Sequence, residues 1–288
     1  MRITNSMMIN TVLRDLNNNL SKMSKSQEQL SSGRRINRPS DDPVGIVSSL
    51  RLRTSLTELA QYKTNAEEAS SWLDATDQIL DESGEILKRI RELAIGAAND
   101  HLTQTERDAI YKEVDQLKQH LITAGNSTYA GKYIFSGAQT LTASFDNIGA
   151  YQGDNGVINY QIAIGVSIPI NVDGATAFGT AFTAIDQILT DLQTGTASDI
   201  SGDIGQLDLA INNQLEVRAD IGAKVNRLEL AINRMDAQNV NLTGLLSKNE
   251  DADMAALITQ LKMQENVYNS SLAAGARMVQ PTLMDFLR

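Results

Sequence analysis

Cysteine is absent from this 288-residue chain, so disulfides, thiolate nucleophiles and cysteine-held metals are excluded. That absence does not by itself choose a compartment. Histidine is almost as scarce. His101 and His120 are the two present, and neither has a second ligand at zinc-helix spacing. A histidine at a helix break and another on a helix flank are the plainer readings. Aromatic residues are 5 % of the total, with Trp72 the single tryptophan, which suits helix seams better than a compact α/β core. Basic charge does not dominate: 25 Lys and Arg face 35 Asp and Glu, a net −10 that removes the electrostatic case for nucleic acid. The local group Arg34, Arg35, Arg38, Arg51 and Arg53 reads as a solvated flank or local ion pairs.

Long apolar runs are missing too. None approaches the roughly 20 residues that span a bilayer, and Met1 to Ser6 is polar, with no apolar core of leader length before Asp15. The expectation is a chain that stays in the cytosol or leaves by a route needing no cleaved leader, without membrane insertion. Gly-rich phosphate loops and a nucleophile elbow are also absent. The pairs Asp41/Asp42 and Asp251/Asp253 suit a helix cap and a kink between helices better than acid–base or calcium chemistry. No catalytic residue, cofactor or metal is expected.

What the chain has in abundance is heptads. One ladder steps by three and four from Leu59 through Leu73, Leu80 and Leu87 to Ala97; a second runs from Ile204 through Leu207, Ile221 and Leu228 to Leu246. Each is a narrow apolar stripe on one long helix that needs a partner. At 1.5 Å per residue each ladder covers roughly 60 Å. The predicted fold is mainly α: a long antiparallel helical rod, coiled-coil-like, with a small inserted β-rich domain.

Shorter signals mark the ends and the insertion. Residues 7–32 predict an amphipathic helix with Ile9, Leu13, Leu16, Leu20, Met23, Gln27 and Leu30 on its stripe, stopped by Gly33. Asp42 then reads as N-cap and Pro43 as the first residue of a helix reaching about Ala98. Asn99-Asp100-His101 breaks it, and Thr103 caps a third helix. Tyr133 to Phe135 is a strand candidate. Ile158 to Val172 alternates with period two and predicts a hairpin bent at Gly165, with Pro169 on an edge strand. A short helix is expected over Ala181 to Leu192. The last segment carries Leu257, Leu261, Tyr268 and Leu272 on one stripe, with Gln264 between, and then the apolar tail Leu283, Phe286 and Leu287. The expected divisions are 1–42, 43–130, 131–195, 196–250 and 251–288, the first and last being end helices that are marginal alone.

Leu30-Ser31-Ser32-Gly33-Arg34-Arg35-Ile36-Asn37-Arg38-Pro39-Ser40-Asp41-Asp42-Pro43-Val44-Gly45 resembles the N-terminal signature of the bacterial flagellin superfamily. Gly131 to Gly137 (GKYIFSG) and Arg218 to Glu229 resemble two further motifs of that family, in the same order. The Arg38-Pro39 and Pro43 variants, the apolar ending and the small insertion are similar to its hook–filament junction branch. A filament flagellin with a small outer domain is the alternative.

The resemblance implies a structural component of the flagellum, exported unfolded by the flagellar type III apparatus and assembled outside the cell. End helices would be disordered in the monomer. They would pair N- with C-terminal in an inner tube through Leu13, Leu16, Leu20, Leu257, Leu261, Tyr268 and Leu272. It also implies partners: further copies in a ring, the other hook-associated junction protein, flagellin, and an export chaperone covering the C-terminal helix and Leu283, Phe286 and Leu287. Two other classes share part of the pattern. A cytosolic coiled-coil scaffold would have no reason for the Leu30 to Gly45 signature. An adhesin would use the β insertion, where Tyr151, Tyr160 and Phe178 are few aromatics for a carbohydrate site.

Overall fold

The computed structural model describes residues 5–99 and 102–279. The chain is mainly helical, with α1 (Asn5–Ser32), α2 (Pro43–Ala97), α3 (Gln104–Gly125), α4 (Gly174–Thr194), α5 (Ala197–Glu250) and α6 (Met254–Val279). Four short strands lie between α3 and α4: β1 (Thr128–Tyr129), β2 (Lys132–Tyr133), β3 (Asn159–Ala163) and β4 (Val166–Pro169). Two compact units result, one from residues 1–57 with 238–288 and the other from 58–237.

In the 58–237 unit, the first heptad ladder is buried along its length. Ala66, Leu73, Leu80, Leu87, Ile90 and Ala94 have no exposed surface, and neither do the polar members Thr76 and Ser83. On α5 the answering stripe is Leu207, Gln214, Ile221, Leu228 and Met235. The register is antiparallel and fixed by polar contacts beside the seam. Lys63 pairs with Asp236 at 2.5 Å, Arg218 with Asp77 at 2.8 Å, and Arg91 with Asp208 at 2.6 Å. Between them the Gln214 amide donates to the Ser83 hydroxyl inside the seam, so a buried polar pair is satisfied there rather than orphaned.

Local chemistry starts the shorter helices. Thr103 caps α3, as the sequence predicts, and Glu106 completes a reciprocal capping box with it, whereas the break residues Asp100 and His101 lie outside the described residues. α3 packs antiparallel to α2 through Arg89–Glu113 at 2.7 Å, and to α4 through Lys118–Asp186 at 2.5 Å. α4 begins at Gly174, seven residues before the predicted Ala181, because Asp173 caps it by accepting from the Ala175 N–H.

The β insertion is smaller than its alternation suggests. β3 and β4 pair antiparallel around the predicted turn at Gly165, but a bulge between Gln161 and Ala163 interrupts the register. Ile162 and Ile168 point inward while Ile164, at the tip, is exposed. The Tyr133–Phe135 strand shortens to Lys132–Tyr133, because Ile134 and Phe135 turn into the core. There Phe135, Phe145, Phe178 and Phe182 form an aromatic cluster, with Phe135 and Phe178 edge-to-face at 4.9 Å. The insertion's few aromatics thus serve packing: Phe178 is fully buried and Tyr151 lies against Phe145.

Candidate assembly site

Two features of the 1–57 and 238–288 unit bring the chain's ends together: a pair of terminal helices and a clasp made by the signature segment.

α1 and α6 pack antiparallel. The Asn19 amide donates to the Gln264 carbonyl at 3.3 Å, and a Cβ on Gly275 would lie 3.2 Å from Val12. The face of α1 turned to α6 is Ile9, Val12, Leu16, Asn19, Met23, Ser26 and Leu30, a clean three–four alternation. This corrects the predicted stripe. Leu13, Leu20 and Gln27 stand one residue away from the packed positions, and Leu13 and Leu20 are 54 % and 44 % exposed. α1 therefore carries two overlapping heptad seams that share Ile9, Leu16, Met23 and Leu30. A single partner helix covers one of them. α6 takes the seam with smaller members, Val12 and Ser26, and its Gly275 allows close approach at Val12.

On α6, Leu257, Leu261 and Tyr268 are half-buried in the same seam, together with Gln264, Ser271 and Gly275. Leu272 is 44 % exposed, as are Met254, Ile258, Met263 and Val267 to similar degrees. Of the residues expected at the contact, Leu16, Leu257, Leu261 and Tyr268 meet in the seam. Leu13, Leu20 and Leu272 do not. Leu13 and Leu272 instead border an apolar groove of about 480 Å³ that runs past Gly275. Leu283, Phe286 and Leu287 lie outside the described residues.

The clasp is the signature segment itself. Gly33 ends α1 with φ +70°, a conformation that costs other residues strain, and its N–H closes on the Gln29 carbonyl at 2.9 Å. The next residues form a short antiparallel bridge to the α5–α6 junction. The Arg35 N–H donates to the Glu250 carbonyl at 2.6 Å and the Ala252 N–H to the Gly33 carbonyl at 3.1 Å.

Both signature aspartates then act on backbone. Asp41 accepts from the N–H groups of Asn37 and Arg38 and pairs with Lys25 at 2.7 Å. The Lys25 hydrogen bond, then that of Arg38, hold its carboxyl below the usual range. Asp42 caps α2 as predicted, accepting from the Gly45 N–H at 2.9 Å, and that bond lowers its pKa. Gly45 is packed so tightly that a Cβ would meet the Asp42 carboxylate and lie 2.6 Å from Ile36, itself buried.

Sequence reading missed the other half of the clasp. Glu250 is 4 % exposed and takes a two-point ion pair from Arg53, with Arg34 further off at 3.9 Å. The Arg53 hydrogen bond is the main reason its carboxyl stays ionised below the ordinary glutamate range. Asn249 donates to the Gly45 carbonyl at 2.8 Å and to the Ser49 hydroxyl at 2.7 Å, and its carbonyl accepts from Arg35. Most of the basic group noted in the sequence is thus spent on local pairs: Arg35 with Asp42, Arg38 with Glu28, Arg53 with Glu250.

The arrangement holds two chain ends in register and leaves apolar surface beside them. Family comparison gives it a setting. The model of the bacterial flagellin N-terminal helical region matches residues 3–140, and that of the C-terminal helical region matches 204–287. Flagellin FlaB2 of Treponema pallidum is 30 % identical over 90 % of this chain and 89 % of its own. The chain belongs to the bacterial flagellin family.

As a member it is a structural protein of the flagellum rather than an enzyme. Flagellar hook-associated protein 3 of Escherichia coli is 25 % identical over 95 % of this chain and 96 % of its own. A flagellin of Clostridium tyrobutyricum reaches 39 % identity, but over 44 % of this chain and 34 % of that longer relative. Among solved structures, FlgL of Bacillus cereus shares the fold with a TM-score of 0.61, covering 68 % of this chain and 99 % of that one at 21 % identity.

Proposed function

We propose that this flagellin-family chain is the junction subunit between hook and filament, a ring-former whose upper face seeds flagellin. The observation that supports an assembling subunit is the open second seam of α1. Leu13 and Leu20 occupy regular heptad positions, are exposed, and continue a stripe whose shared members Ile9, Leu16, Met23 and Leu30 are already half-buried. Apolar residues kept at heptad spacing on a solvent face are suited to a helix from another copy. Subunits stacked by a helical rotation make heterologous contacts that propagate in this way.

The junction assignment within the family rests on the chain-long match to hook-associated protein 3 and on the small β insertion. The partners that follow are further copies in a ring, the other hook-associated junction protein below, and flagellin above. An export chaperone would cover the C-terminal helix before type III export without a cleaved leader. The terminal helices would order on assembly, since half-buried seams give each little stability alone.

A filament flagellin with a small outer domain is the second reading. The treponemal flagellin supports it, because it aligns along nearly all of a chain of this size. Immunogold labelling of intact flagella separates the two. A junction subunit gives one band at the hook–filament boundary, and its deletion releases monomeric flagellin into the medium. Label along the whole filament would overturn the junction reading in favour of the second.

A further inference from the structure

The seam between α1 and α6 carries a mismatch that the α2–α5 seam does not. Each has a glutamine on its stripe. In the 58–237 unit, Gln214 is 2 % exposed and its amide donates to the Ser83 hydroxyl, so that polar layer is matched. In the end pair, Gln264 lies near the middle of α6, between Leu261 and Tyr268 on the stripe and opposite Asn19. There the Asn19 amide donates to the Gln264 main-chain carbonyl at 3.3 Å. The Gln264 side-chain Oε1 is buried, and among the described residues no donor reaches it. A buried acceptor without a donor has given up water and gained nothing. Opening the pair returns water to it, so this layer favours the open state.

α1 distributes its side chains in the same sense. At three successive heptad levels the face turned to α6 carries Val12, Asn19 and Ser26, whereas the open face carries Leu13, Leu20 and Gln27. The two leucines thus stand on the seam that α6 leaves uncovered, and the smaller or polar residues on the one it covers. We propose that Gln264 is a release built into the end pair. Its unpaired oxygen holds α1 and α6 close to opening in the free chain, and closure waits for another copy to cover the Leu13–Leu20 seam. The closing half rests on the assembly reading above; the opening half is a property of the single chain.

Amide-exchange protection over residues 8–30 and 256–276 of the full chain reads the opening. Gln264→Met keeps the unbranched shape and a near-equal helix propensity while removing both polar atoms. Relief of one unpaired acceptor should raise the protection of both helices together by roughly 5- to 100-fold. The buried stretch from Ala66 to Ala94 should not change. Gln260→Met makes the same exchange at an exposed position of α6 and should leave protection as in wild type. Protection in Gln264→Met no higher than in wild type, or an equal rise in Gln260→Met, would overturn the release.

The closing half is read on flagella isolated from cells. Wild-type α1 and α6 should gain protection there over the free chain, and unchanged values would overturn closure by another copy. The free-chain comparison needs no assembly, so loss of the release and loss of the assembly reading are told apart.

Discussion

The α2–α5 seam and the α1–α6 seam obey the same heptad rule and end in different states. In the first, Leu73, Leu80, Leu87 and Leu228 have no exposed surface. In the second, the apolar members are half-buried, and the seam residue of α1 that is fully covered is a serine, Ser26. The difference lies in the number of covering elements. α2 is also flanked by α3, through Arg89–Glu113, whereas α1 and α6 share one narrow strip with each other. Periodicity announces that a helix wants a partner. It does not say how many are present in one chain.

The largest effect should come from cutting into the closed seam. Leu80→Ala removes a fully buried side chain and leaves a cavity, at about 2–5 kcal/mol. Leu13→Ala, on the open side of α1, should stay within about 0.5 kcal/mol. Chemical denaturation of both variants measures the pair. Equal costs would mean that Leu13 is covered in the free chain, and the contrast between the two seams would be lost.

That contrast also explains what was legible beforehand. The ladder from Leu59 to Ala97 could be read residue by residue because one covered stripe on a long helix leaves little ambiguity. Caps at Thr103 and Asp42 were readable because their chemistry is local. On α1 the apolar positions form a stripe wider than one seam, so 9–13–16–20 and 9–12–16–19 were both available. In the covered one Val12 lies against Gly275, at the other end of the chain. The clasp partners Glu250 and Asn249 were invisible for the same reason: nothing in their neighbourhood marks a glutamate that will meet Arg53. The aromatic core was missed because Phe135, Phe145 and Phe178 are scattered until the fold collects them.

A middle-sized effect belongs to the clasp. Glu250→Gln keeps the shape and removes the charge that Arg53 grips. Because the Arg53 side chain is 42 % exposed, the cost is discounted from that of a fully buried pair to about 1–2 kcal/mol. The pH dependence has a definite sign. Glu250 titrates below the ordinary value of 4.5, so its stabilisation is full above that value and is lost as the pH falls through the lowered one. Urea titrations at pH 7 and pH 3 should show wild type and variant well separated at the first and converging at the second. A constant gap would assign the effect to packing instead of charge.

The smallest effect on the free chain should accompany the largest effect on assembly. Leu20→Asp replaces a 44 % exposed side chain on α1, so the isolated protein should melt within about 1 kcal/mol of wild type, most of it helix propensity. When another helix closes over that seam, the new carboxylate loses its water without gaining a partner, a cost of several kcal/mol. Subunit addition should then fall by more than about 100-fold, since each 1.4 kcal/mol is a factor of ten. Asn18→Asp adds the same charge on the far side of the helix, away from both seams, and should assemble normally. Motility and the amount of monomeric flagellin in the culture medium report the outcome in cells. If Leu20→Asp cells swim like Asn18→Asp cells, the open seam is a solvent face and the assembly contact lies elsewhere on the chain. A melt of Leu20→Asp several kcal/mol below wild type would show instead that the second seam is already filled within one molecule.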